Sequence, residues 1–147
     1  MKLVIQRVNK GQVKIENKIV GDINKGYVVL VAFKKGDDKS SFPFMIRKLL
    51  NLKLFNDENN RLNKSLLDVA GELLLVSQFT LYARIANGNS PGWDDAMPYE
   101  KAEKLYNEFI IELEKVYNKK KIQSGQFGAE MKVILENDGP VTIILEK

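Results

Sequence analysis

Among its 147 residues the chain has no cysteine and no histidine. The first absence excludes disulfides, cysteine nucleophiles and thiolate zinc sites. The second excludes imidazole ligands and every Ser-His or Cys-His catalytic pair. Chemistry therefore rests on carboxylates, hydroxyls, lysine, backbone groups or the substrate itself. No run of eighteen apolar residues occurs, so no membrane helix and no membrane partner is expected. The N-terminal Met1-Lys2-Leu3-Val4-Ile5-Gln6-Arg7-Val8 meets charge too early for a signal peptide, and a cytoplasmic location is expected. A Walker loop and a dinucleotide fingerprint are both missing, and no cofactor is expected. Asp94-Asp95 is an acidic pair without further ligand spacing, so no metal is expected either. With only 4 prolines, each position carries information. Pro140, after Gly139, stands between two apolar runs, where a residue without an N–H belongs at a turn, an edge or a strand start.

What is present fits one soluble domain, residues 1–147, with 44% hydrophobic and 29% charged residues, enough for a core. Lys+Arg exceeds Asp+Glu by 23 − 19 = +4. That balance is compatible with a polyanion such as RNA without requiring one. Lys119-Lys120-Lys121, Lys34-Lys35 and Arg47-Lys48 are the densest basic runs, and each taken alone also fits a solvated surface.

The pattern predicts strands at 2–8, around Val13–Ile15, at Ile19–Val20 and at Tyr27–Phe33, with Glu16-Asn17 as a hairpin turn. Tyr27–Phe33 is apolar on both faces, as a central buried strand is. A helix is predicted from Ser40 to Leu50, a short strand at Lys53–Phe55, and a strand over Glu72–Leu81. A long loop spans Arg84–Asp95, and a second helix, apolar at Ala102, Leu105, Tyr106, Phe109 and Leu113, spans Pro98–Tyr117. Gln126–Glu136 and Val141–Glu146 read as two final strands. The expected class is α/β: a single domain of mixed β-sheets in β/β/α layers, barrel-like, with two main helices.

Three segments are candidates for chemistry. Ser77-Gln78-Phe79-Thr80 ends a buried strand with two hydroxyls, an amide and backbone N–H groups, or is an ordinary polar strand end. Asn137-Asp138-Gly139-Pro140 can present two carbonyl oxygens unobstructed, or is a plain hairpin turn. Gly125, Phe127 and Gly128 form a third site, or a strand entry with a bulge. A hydroxyl nucleophile at Ser77 or Thr80 needs a base, and none lies close in sequence.

In order and about sixty residues apart, Ser77-Gln78-Phe79-Thr80-Leu81 and Asn137-Asp138-Gly139-Pro140-Val141-Thr142 resemble the two signature motifs of the D-aminoacyl-tRNA deacylases. The resemblance extends over the chain: 1–8, Arg47–Phe55, Ser65-Leu66-Leu67-Asp68-Val69 and Gly125–Val133 match as well. The chain departs most at Arg84–Trp93, where Ala86-Asn87 and Ser90 stand at positions that commonly carry charge and Trp93 takes the aromatic place.

The resemblance implies an enzyme that hydrolyses the ester between a D-amino acid and the terminal ribose of tRNA. It implies a homodimer whose partner is the acceptor end of D-aminoacyl-tRNA. Gly139 and Pro140, with a cis peptide, would enter the other subunit's site and hold the substrate's α-ammonium through their carbonyls. An L side chain would meet the wall of that clamp, while glycine would not, so glycyl-tRNA is an expected substrate. Ser77, Gln78, Phe79 and Thr80 are the expected catalytic segment. The backbone of Gln78 and Phe79 would form an oxyanion site, with Thr80 as covalent nucleophile the rival version. Asn137, Asp138, Val141, Thr142, Phe127 and Met131 are expected to support the site. The competing classes are a non-catalytic tRNA-binding module and an unspecific esterase.

Overall fold

The structure, a computed structural model, describes residues 1–85 and 88–147. Strand β1 (Lys2–Ile15) runs into a turn where Glu16 and Asn17 take φ of 47° and 68°. Positive φ at both central residues is the hairpin geometry that matches strand twist. Strands β2 (Lys18–Ile23) and β3 (Gly26–Ala32) then return antiparallel along one edge of β1. Strand β8 (Lys132–Glu146) takes the other edge, also antiparallel.

Strand β6 (Glu72–Ser77) adds parallel to β3, and β7 (Ile122–Ser124) parallel to β6. Parallel neighbours need long crossovers. Helix α1 (Phe42–Asn51) and a small hairpin of β4 (Phe55–Asn56) and β5 (Leu62–Lys64) supply the first. Helix α2 (Tyr99–Val116) supplies the second. In α1, Phe42, Met45, Ile46 and Leu49 recur at helical spacing and are buried, with Pro43 in the first turn.

The six-stranded sheet is apolar on both faces. Leu3, Ile5, Val29 and Leu75 pack with Phe42, Leu49, Phe109 and Leu113 of the helices. Val8, Val13, Val28, Leu74 and Val76 form a second cluster on the opposite face. Strand β2 folds over that cluster so closely that a Cβ on Gly21 would sit 2.7 Å from Leu74 and 3.5 Å from the Ser124 carbonyl. The sheet thus curls toward a barrel, with both helices on its outer side. This is the mixed, layered α/β class expected from the sequence.

Several expected boundaries change. The strands expected at 2–8 and Val13–Ile15 are one strand, β1; the strand expected at Lys53–Phe55 is Phe55–Asn56; and β7 has no counterpart among the expected strands. The strand predicted over Glu72–Leu81 stops at Ser77, because β3 runs out. Gln78 gives its N–H to the Val31 carbonyl at 2.8 Å, and Phe79–Tyr82 coil into a 3₁₀ turn. The strand predicted over Gln126–Glu136 starts only at Lys132, after a turn with Gly128 at φ 73°. Finally, Asn137–Thr142 is no hairpin: β1 is long enough to pair with both halves of β8, so the chain bulges and continues. Among the described residues no helix is long and apolar enough to cross a membrane.

Candidate active site

Where β6 ends, Ser77, Gln78 and Phe79 line a cavity of about 60 Å³ together with Met97, Ala102 and Phe127. The slot has room for about two water molecules. Its lining contains no carboxylate, lysine, arginine or tyrosine among the described residues. Behind it, the buried Tyr106 hydroxyl donates to the Leu75 carbonyl at 2.9 Å, and burial raises that phenol far above its ordinary range. A larger apolar groove of about 500 Å³ lies between α1 and α2, but none of the candidate residues reaches it.

Of the 3₁₀ turn only Phe79 lines the slot among the described residues, and Thr80 stands beside it. As the first residues of the turn, Phe79 and Thr80 have N–H groups with no acceptor inside it. The Gln78 N–H is committed to Val31, which removes it from the expected pair of oxyanion donors. Instead the Gln78 side chain braces the turn, Nε2 donating to Thr80 Oγ1 at 2.5 Å. Thr80 is thus held by an amide, not by a base. At the mouth, Tyr99 rests on Gly128, where a Cβ would lie 2.2 Å from the Tyr99 oxygen, and its ring meets Phe127 edge-on at 5.1 Å. The glycine of the third candidate segment is there for close approach. Met131 does not line the slot: it packs on the second cluster and over Gly125.

The other motif is a bulge. Gln6 of β1 pairs with Thr142 and Val8 with Asn137, so Asp138–Val141 have no register partners. Gly139 takes φ 120°, the Gly139-Pro140 peptide is cis, and both residues are exposed. Asn137 staples the bulge: its Oδ1 accepts from the Val141 N–H at 3.1 Å and its Nδ2 donates to Thr142 Oγ1 at 3.0 Å. From below, Arg7 donates through Nε to the Asp138 carbonyl at 3.2 Å and meets Asp138 Oδ2 at 2.9 Å. Arg7 Nη1 donates to the Leu54 carbonyl at 2.6 Å. Arg7 is 6% exposed, and no motif in the sequence singles it out. Its one signal is that it continues the buried Leu3, Ile5 alternation with a charge.

Within one chain the two motifs do not meet. Ser77 pairs with Val31, which pairs with Leu3, whereas the bulge faces Arg7. Four residue steps and three strand spacings separate them, about 19 Å on a flat sheet. Asp95 of the acidic pair is taken by Arg84 at 2.6 Å. Ala86 and Asn87, part of the divergent loop, lie outside the described residues.

The family model described as D-Tyr-tRNA(Tyr) deacylase matches residues 4–146. The chain belongs to that family. Its relatives among the deacylases include the D-aminoacyl-tRNA deacylase of Thermosipho melanesiensis, 47% identical over 99% of this chain and 97% of the relative. The D-aminoacyl-tRNA deacylase of Clostridium kluyveri is 48% identical with the same coverage of both chains. A solved structure named c-Myc DNA Unwinding Element Binding Protein superposes with a TM-score of 0.95 at 42% identity, covering 100% of this chain and 99% of the other. A second, of a probable eukaryotic D-amino acid tRNA deacylase, has a TM-score of 0.84 at 19% identity, covering 98% and 97%, and shares the fold. In this deacylase chain Ser77–Phe79 line the slot, and Asn137–Thr142 form an exposed, braced bulge.

Proposed function

We propose that this chain hydrolyses the ester joining a D-amino acid to the terminal ribose of tRNA, releasing both, in the cytoplasm where tRNA is charged. The observation that carries the reading is the slot itself: the family's Ser77–Phe79 segment lines it, and no ionisable side chain does. The substrate ester is activated by its ammonium group and the neighbouring ribose hydroxyl. Water adds to its carbonyl carbon, the Phe79 and Thr80 N–H groups receive the negative oxygen, and the ribose oxygen leaves with a proton. Orientation and preorganised dipoles replace the missing base.

The ammonium is held by the Gly139 and Pro140 carbonyls of a second copy. Three features support a homodimer. The bulge and its own chain's slot are separated by three strand spacings and four residue steps along the sheet. Strand β8 pairs only with β1 among the described residues, leaving its other edge open. Ile134 and Ile144 of the same strand stand exposed. With the ammonium and ester fixed, an L side chain collides with the clamp and a D side chain points out.

Incubating the protein with D- and L-tyrosyl-tRNA tests this reading. Selective loss of the D ester is expected, and an intact D ester would overturn it. The name of the 42%-identical structure favours a second reading, a non-catalytic nucleic-acid binder. Such a binder would leave both esters intact and release tRNA steeply with salt.

A further inference from the structure

Beside the slot stands an aromatic pair that the hydrolytic reading leaves unused. Phe79 is 54% exposed and Trp93 41% exposed, yet their rings meet edge-on at 5.0 Å. Two large apolar rings left in water next to a reaction site offer faces on which a flat ligand can stack. Their position is fixed by the loop's neck. Arg84 and Gly92 exchange two backbone hydrogen bonds of 2.9 and 2.8 Å, and Arg84 pairs with Asp95.

On the far side of the same 3₁₀ turn lies a cleft of about 390 Å³ lined by Lys2, Lys34, Lys35, Tyr82, Asp95 and Glu146. Lys2 is tied down, donating to the Leu81 carbonyl at 3.2 Å and lying 3.4 Å from Glu146. Lys34 reaches Glu146 only at 3.9 Å and is half exposed. Lys35 is exposed, and among the described residues no carboxylate lies within ion-pair distance of its ammonium. Asp95 already answers to Arg84. The cleft therefore has cationic capacity to spare at Lys34 and Lys35.

We infer that the Phe79–Trp93 pair and the Lys34/Lys35 cleft together seat the single-stranded 3′ end of the RNA substrate, one base stacked on the aromatic pair and the backbone phosphates drawn to the lysines. Both halves adjoin the same two segments, Phe79–Tyr82 and Gly92–Ala96: Lys34 bridges to Ala96, and the Lys35 N–H donates to the Asp95 carbonyl at 2.9 Å. Aromatic faces interleaved with cations are the general recipe for single-stranded nucleic acid. The inference rests on the proposed function and deepens it by naming how the acceptor end is held.

Trp93 is the chain's one tryptophan, so its emission reports stacking directly. Titrating the protein with the trinucleotide CCA should quench that emission saturably, with no ester and no turnover involved. In the Lys34→Gln/Lys35→Gln variant the midpoint should rise at low salt. Leaving two phosphates without a cation corresponds to a roughly 7-fold smaller salt effect between about 50 and 200 mM. With D-tyrosyl-tRNA, Trp93→Ala should raise KM about 5-fold or more at unchanged kcat, and Trp93→Phe should restore it. D-tyrosyl-adenosine, which lacks phosphates, should be indifferent to the lysine variant. No quenching by CCA, or a midpoint that ignores both salt and the lysine variant, overturns the seat even where D-selective hydrolysis stands. Quenching with no hydrolysis retires the enzymatic reading and leaves the seat.

Discussion

Arg7 offers the sharpest perturbation because one buried side chain joins the bulge to the core. Replacing it with methionine keeps most of the volume and removes the guanidinium. The Leu54 carbonyl, in a buried residue, then loses its 2.6 Å donor. An unsatisfied buried carbonyl costs about 1–3 kcal/mol. The Asp138 carboxylate is 41% exposed, so water replaces most of the ion pair and its removal adds only about 0–1 kcal/mol. The sum, roughly 1–4 kcal/mol, lowers Tm by about 2–4 °C per kcal/mol in a chain of this size and leaves the protein folded. The effect on activity has a separate origin. Without Arg7, Asp138–Val141 keep only the Asn137 staples. Re-ordering even one residue on substrate binding costs about 1–2 kcal/mol, a fall of about 5- to 30-fold in kcat/KM. Thermal melting and D-tyrosyl-tRNA turnover, assayed well below the melting range, measure the two effects independently. Asp138→Asn, which retains the backbone acceptor, should lose less on both. An Arg7→Met protein that melts earlier but turns over at the wild-type rate would refute the bracing role.

Thr80→Ala should retain measurable turnover with an intact fold, since Thr80 Oγ1 meets an amide rather than a base; complete loss in a folded variant would restore the covalent nucleophile. Glycyl-tRNA should be cleared, having no side chain for the clamp to exclude; its survival at enzyme levels that clear D-tyrosyl-tRNA would contradict exclusion as the chiral filter. Hydrogen bonds from the Ser65 N–H and hydroxyl, both 2.7 Å, hold the Asp68 carboxyl below its ordinary value. A folded pKa depressed in this way stabilises above the unfolded value of 3.8 and fades as pH falls through the folded one. The urea midpoint of wild type should therefore exceed that of Asp68→Asn at about pH 6, with the gap closing toward about pH 2; a constant gap would remove Asp68 from the account.

Much of this architecture is readable because it depends on local pattern. Glu16-Asn17 announces the hairpin, and the helical spacing from Ala102 to Leu113 fixes α2 within a residue at each end. The places where pattern misleads depend on neighbours distant in the chain. Nothing local says that β6 must stop at Ser77; that follows from β3 ending beside it. Asn-Asp-Gly-Pro has the composition of a turn, and only the length of β1 converts it into a detour within a single strand. The site shows the same division. The motifs nominate Ser77–Phe79, which line the slot, but the Gln78 N–H is consumed by Val31, a fact of sheet pairing. Arg7 earns its role from Leu54 and Asp138, which no spacing rule connects to it.

The pairing of β1 with β8 sets the order in which the site comes into being. The contact between Arg7 and Asp138 closes a span of 131 residues, and such closures are among the slowest and latest in folding. During synthesis the slot-lining turn at Phe79–Tyr82 and its parallel neighbour β3 emerge early. Strand β1 meanwhile waits with one edge bare until Lys132–Glu146 have left the ribosome. A nascent chain can thus shape the Phe79 side of the slot while still lacking Phe127, Gly128 and the bulge, so the proposed chiral filter is assembled late.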